Sequence, residues 1–96
     1  MSDIFEVVDK TGRRVKLTKD RWTHIRENHP NVEDPEEIIQ TLQKTDRIIT
    51  DERENVEYFF KYFKYKKFKS KFLKVIVRYL NNEGDVLSAH FVKSIR

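Results

Sequence analysis

Residues 72–93 read FLKVIVRYLNNEGDVLSAHFVK, and the alternation within them decides the fold. Val75, Val77 and Tyr79 alternate with Lys74, Ile76 and Arg78, and Leu87, Ala89 and Phe91 alternate with Ser88 and His90. Period two over this length marks strands with one buried face. Between them lies the turn cluster Asn81-Asn82-Glu83-Gly84. A three-residue loop, Asn82-Glu83-Gly84, with Gly84 left-handed, is a known hairpin class. It predicts Tyr79 opposite Leu87, Val77 opposite Ala89 and Val75 opposite Phe91 on an apolar face. Arg78 then opposes Ser88, and Ile76 opposes His90, on the other. A two-residue loop shifts the pairing by one and mixes the faces, which the hydrophobic pattern disfavours. The expectation is a sheet with an inner apolar face and an outer polar face carrying Arg78, Ser88, His90 and Lys74.

Just upstream, residues 61–74 (KYFKYKKFKSKFLK) hold seven lysines and no acid. Tyr62, Phe63, Tyr65, Phe68 and Phe72 are interleaved with them. Disordered tails are poor in aromatics, so the block is read as folded. Cations attract phosphates and π surfaces stack on splayed bases. Lys61, Lys64, Tyr65, Lys66, Lys67, Lys69 and Lys74 are therefore candidate RNA-binding residues. Lysines on an exposed strand equally serve as a guard against edge pairing. Strands are expected at 46–51, 56–65, 69–80 and 85–93.

The N-terminal half starts with two short strands, 4–8 and 14–17, around the turn Asp9-Lys10-Thr11-Gly12. Thr18 is a helix N-cap, with Asp20 in the first turn, and Pro30 stops the helix beyond residue 28. Asp34-Pro35-Glu36-Glu37 starts a second helix: N-cap, proline at the first helical position, and Glu37 placed to close a capping box. Ile38, Ile39 and Leu42 form its apolar stripe, which fades near residue 44. The predicted class is α+β: two N-terminal helices packed against a small twisted antiparallel sheet. At 96 residues the chain has room for one domain, 1–96.

Composition narrows the chemistry. Cysteine is absent, which excludes disulfides, thiolate metal sites and a cysteine nucleophile and fits a cytoplasmic protein. No long apolar run suggests a membrane span. Net charge is +4, but acids crowd residues 33–57 and bases residues 61–74, so distribution says more than the total. There is no HxxxH or HExxH pair and no DxDxDG, which predicts no metal. Without a P-loop, GxGxxG or GxSxG, no cofactor is predicted.

Arg21, His24 and Asn28 share one side of the first helix. An imidazole there suits proton transfer near neutral pH, or is simply a boundary histidine beside a solvated arginine. His29, at the helix end, reads as a capping or packing residue. On the polar sheet face, Arg78 suits a phosphate, Ser88 a hydrogen bond to it, and His90 a proton shuttle. An ordinary solvated face is the alternative.

The run LTxxRWxHIxxxHP at 17–30, IIxTLxxTDxIIxD at 38–51, an aromatic–lysine strand pair and a final VLSAHFVKSIR resemble the phage-type nuclease domains of the barnase–EndoU–colicin–RelE-like (BECR) group. The resemblance covers most of the chain from about Val15. It implies a BECR-like ribonuclease fold and a metal-independent endoribonuclease. RNA would be cleaved by attack of the 2′-OH on the adjacent phosphate, leaving a 2′,3′-cyclic phosphate and a 5′-OH. It also implies a toxin or phage-associated effector with an antitoxin or immunity-protein partner. By the same resemblance His24 matches the helix histidine that transfers protons, and Arg21 the basic position one turn earlier. Ser88 stands where a threonine is common, followed by Ala89. His90 departs from an expected aromatic, and Val92 from a small hydroxyl residue. The catalytic expectation is thus His24, Arg21, Arg78, Ser88 and His90. A non-catalytic RNA-binding module is one alternative. The other is a toxin-like protein-interaction domain, a monomer or weak homodimer.

Overall fold

Asp9 closes the first turn with its own carboxylate. Its Oδ1 accepts from the backbone N–H groups of Thr11 (2.8 Å) and Arg13 (3.1 Å) and from the Thr11 hydroxyl (2.6 Å). The turn joins β1 (Asp3–Val8) to β2 (Arg14–Thr18), which pair antiparallel. Gly12 within it has φ 92°, a left-handed value glycine adopts without a Cβ clash. The Tyr79 hydroxyl donates to the other Asp9 oxygen, and the Arg13 guanidinium lies 3.6 Å from the Tyr79 ring centroid and 2.7 Å from Glu57. These contacts pin the first hairpin to the middle of the sheet.

The computed structural model describes residues 3–95. After β2 come α1 (Lys19–Asn28), α2 (Pro35–Gln43), β3 (Arg47–Asp51), β4 (Val56–Tyr62), β5 (Phe72–Leu80) and β6 (Glu83–Val92). The Thr18 side chain accepts from Arg21 N–H at the start of α1. Asp34 caps α2 by accepting from Glu36 N–H, with Pro35 first in the helix. Glu37 reaches back one residue farther than a capping box requires and accepts from Glu33 N–H.

All six strands form one sheet in the order β1-β2-β6-β5-β4-β3. This overturns the expected two N-terminal helices packed on a small antiparallel sheet, and with it the BECR-like architecture. The described residues put about 45% of the chain in strand and 20% in helix, so the sheet is the body and the helices are a partial cover. The N-terminal hairpin joins the sheet because β2 pairs with β6, in parallel, at Arg14–Glu83, Val15–Gly84 and Lys16–Asp85. Such a pairing across the whole chain leaves no local sequence pattern.

The β5–β6 register also differs from the expected one. The turn is the two-residue Asn81-Asn82, both with positive φ (54° and 65°), as a tight hairpin of right-handed twist requires. Tyr79 opposes Gly84, Arg78 opposes Asp85 and Val77 opposes Val86. A bulge at Leu87 then restores the phase, so that Ile76 opposes Ser88, Val75 opposes Ala89, Lys74 opposes His90 and Leu73 opposes Phe91. The inserted residue removes the mixing of faces that counted against the short loop. Gly84 is not left-handed. It is a strand residue over which Tyr79 lies, and a Cβ there would stand 2.7 Å from Val77 Cγ1.

One face of the sheet is the core. Val15, Leu17, Phe59, Leu73, Val75, Val77, Val86 and Ala89 pack there against Ile25 of α1 and Ile38 and Leu42 of α2. Each of these side chains larger than that of Ala89 contributes roughly 1.5–3 kcal/mol by leaving water. The strands expected to reach residue 65 and to start at residue 69 are shorter, and residues 63–71 between them form a loop. Its Lys66 turns inward and binds Glu37 (2.7 Å), Glu33 (3.2 Å) and the Asn31 carbonyl (3.1 Å).

Candidate functional site

Both helices bury their apolar residues on the core side, so among the described residues no helix lies on the other sheet face. The cross-strand register arranges that face in rows. His90, Lys74, Phe60 and Arg47 form one; Ser88, Ile76, Tyr58 and Ile49 the next; Asp85, Arg78, Val56 and Asp51 the third. The Lys74 ammonium lies 4.8 Å from the Tyr58 ring centroid and 5.9 Å from that of Phe60. A cavity of about 610 Å³ lies over Tyr58, Lys74 and Ile49.

β2 accompanies β6 only at residues 83–85, and α1 packs on β6. The chain following α1 therefore comes alongside β6 where no strand covers it. His29, the C-cap of α1, is held by its N–H to the Ile25 carbonyl (2.7 Å) and stacks on His90, with centroids 5.0 Å apart and planes at 28°. Burial, then the neighbouring His29 and Lys74, pull the His90 pKa below the ordinary imidazole value. His90 is thus neutral at neutral pH. Its Nδ1 is buried and has no hydrogen-bond partner among the described residues. An unpaired buried ring nitrogen costs free energy, and functional sites are among the places that carry such costs. A cleft of about 270 Å³ beside the pair is lined by Asn28, His29, Phe68, Lys69, Ser70 and His90 among others.

His24 lies elsewhere. It is exposed, and its ring and carbonyl face the Asn28 amide on the same helix. The imidazole brought to His90 is that of His29, for which the sequence predicts a capping or packing role. The adjacent His29-Pro30 placed it at a helix end but gave no sign of what lay opposite. Arg21 and Arg78 both line a third cavity, of about 230 Å³, shared with Lys16, Thr18, Asp85, Val86 and Leu87. Ser88 is half-buried one row from His90.

The lysine block divides. Lys64, Lys67 and Lys69 are exposed, Lys69 at the mouth of the histidine cleft, and Lys74 is beside His90. Lys66 is consumed inside the fold by Glu33 and Glu37, which removes it from any RNA-facing set. The Tyr65 hydroxyl is likewise tied to Glu37 Oε2 at 2.6 Å, although much of its ring is exposed. Lys61 falls on the core-side parity opposite Leu73, with its ammonium 5.1 Å from the Phe63 ring centroid. Two acids thus turn one candidate contact into a structural clamp.

Among the described residues no group of three or more His, Asp or Glu side chains gathers as a metal site, and no helix is long and apolar enough to cross a membrane. Comparison with protein-family models, with curated proteins and with solved structures finds no match.

Proposed function

We propose that the chain is a metal-independent endoribonuclease whose proton-transfer pair is His29 and His90. The observation that carries this reading is the stacked pair itself, beside Lys74, on a sheet face no helix covers. A neutral imidazole suits a general base. His90 takes the proton of the 2′-OH as its oxygen bonds to phosphorus. The P–O5′ bond breaks, and His29 supplies a proton to the departing 5′-oxygen. The products are a 2′,3′-cyclic phosphate and a 5′-OH. Lys74 balances charge developing on the phosphate, and Ser88 is the nearby hydroxyl donor.

The test is cleavage of structured RNA in EDTA by the full chain, with end-group analysis of the fragments. His90→Asn and His29→Asn are each expected to slow cleavage on the order of 10²–10⁴-fold. Absence of cleavage by the parent, or unchanged rates in both variants, refutes the assignment. His24→Ala made in parallel decides between the histidines: a larger loss there than at His29 returns the acid to the exposed side of α1.

A second reading is RNA binding without cleavage. It is favoured by the exposed rings of Tyr62 and Tyr65 among free lysines. It predicts salt-sensitive binding with intact RNA recovered.

A further inference from the structure

We infer that Lys16, Arg21 and Arg78 form a second phosphate subsite, separate from the histidine cleft, so that the ligand is a single-stranded RNA several nucleotides long lying along β5 and β6. This rests on the RNA reading above and extends it.

The three cations come from β2, α1 and β5 and converge on one pocket at the β6 bulge. Their neutralisation is incomplete. Lys16 meets Asp85 at 3.8 Å, and Arg78 meets Glu54 at 4.0 Å, both loose and exposed pairs. The Arg21 guanidinium makes no hydrogen bond or ion pair with any described residue. Among the described residues Asp85 is the one acid lining the pocket, against three cations. Two arginines with planar forks suit a phosphate.

The pocket is too far from His90 to hold the scissile phosphate. Arg78 is four residues along β5 from Lys74, the partner of His90, which at ~3.3 Å per residue is about 13 Å. The row between them is Ser88, Ile76, Tyr58 and Ile49. It offers an apolar and aromatic floor between two cationic ends, the pattern on which bases stack while the backbone is held by charge. The single-phosphate role expected for Arg21 and Arg78 is thereby replaced by a role one or more nucleotides away.

The experiment uses fluorescein-labelled 2′-O-methyl RNA of two and of six nucleotides, which cannot be cleaved by 2′-OH attack, and reads anisotropy against salt. The hexamer is expected to bind the full chain at least about tenfold more tightly than the dimer, with the slope of log affinity against log salt steeper by ~0.7 per added phosphate contact. Arg78→Gln and Arg21→Gln should bring the hexamer toward the dimer in both affinity and slope. Asp85→Asn, which removes the pocket's acid, should tighten hexamer binding, a gain that misfolding cannot imitate. Equal affinity for both lengths, no binding of either, or variants that leave the hexamer slope unchanged overturns the subsite. The two readings fail separately. Length-dependent binding with no cleavage of unmodified RNA leaves the subsite and removes the nuclease, whereas cleavage indifferent to length and to Arg78 does the reverse.

Discussion

Replacing Lys66 by methionine removes a charge that the fold has enclosed. The Lys66 side chain is 4% exposed and that of Glu37 is 8%. Methionine keeps most of the stem among the Phe68 and Phe91 rings, near which the ammonium now lies. What is lost is the 2.7 Å contact to Glu37 and the bond to the Asn31 carbonyl. Glu33 is mostly exposed and loses little. Glu37 is left buried with the Glu33 N–H and the Tyr65 hydroxyl as its remaining donors. Breaking a buried pair from one side costs roughly 3–5 kcal/mol, and the two surviving donors place this case near the lower end. At about 4–8 °C per kcal/mol for a domain of this size, the melting temperature should fall by roughly 12–24 °C. Urea unfolding followed by the fluorescence of Trp22, the single tryptophan, which packs against the core, gives the number. Adding Glu37→Gln to Lys66→Met should recover a good part of the loss, since the uncompensated charge is then gone. Burial alone would lower the Lys66 pKa, but Glu37 and Glu33 overcome it and raise the value. The stabilisation is therefore complete below the unfolded value of about 10.4 and is lost as pH rises from there through the folded pKa. A cost below about 1 kcal/mol for Lys66→Met, or a double variant less stable than the single, would refute the clamp.

Two further outcomes follow from the sheet. Gly84→Ala places a Cβ 2.7 Å from Val77 Cγ1 and 2.8 Å from Tyr79 Cε2; overpacking of this kind costs about 1–3 kcal/mol, read by urea unfolding, and a neutral result would show that the Tyr79 ring yields freely. His90 has its pKa lowered in the fold, so the unfolded chain binds more protons between that value and about 6.5; stability should fall as pH drops through this window, and His90→Gln should flatten the slope in thermal melts taken across it.

Much of the fold was legible because the chemistry that sets it is local. The alternation of residues 73–79 named the buried face of β5, and Thr18, Asp34 and Pro35 named both helix starts, because caps and period act within a few residues. Arg78, Ser88 and His90 do share the outer face, but with cross-strand partners other than those expected, because the Leu87 bulge breaks the alternation of β6 and resets its phase. Four things were beyond the sequence. The parallel β2–β6 pairing joins residues about 70 apart and has no turn to announce it. The Leu87 bulge lets a two-residue turn coexist with unmixed faces, and only the packed sheet selects it over the longer loop. The pairing of His29 with His90, and the capture of Lys66 by Glu37, depend on which edge of β6 is left uncovered and on where α2 starts. Local chemistry set each side chain's direction; which side chains share a site followed from strand order, which minimises exposed apolar surface over the whole chain.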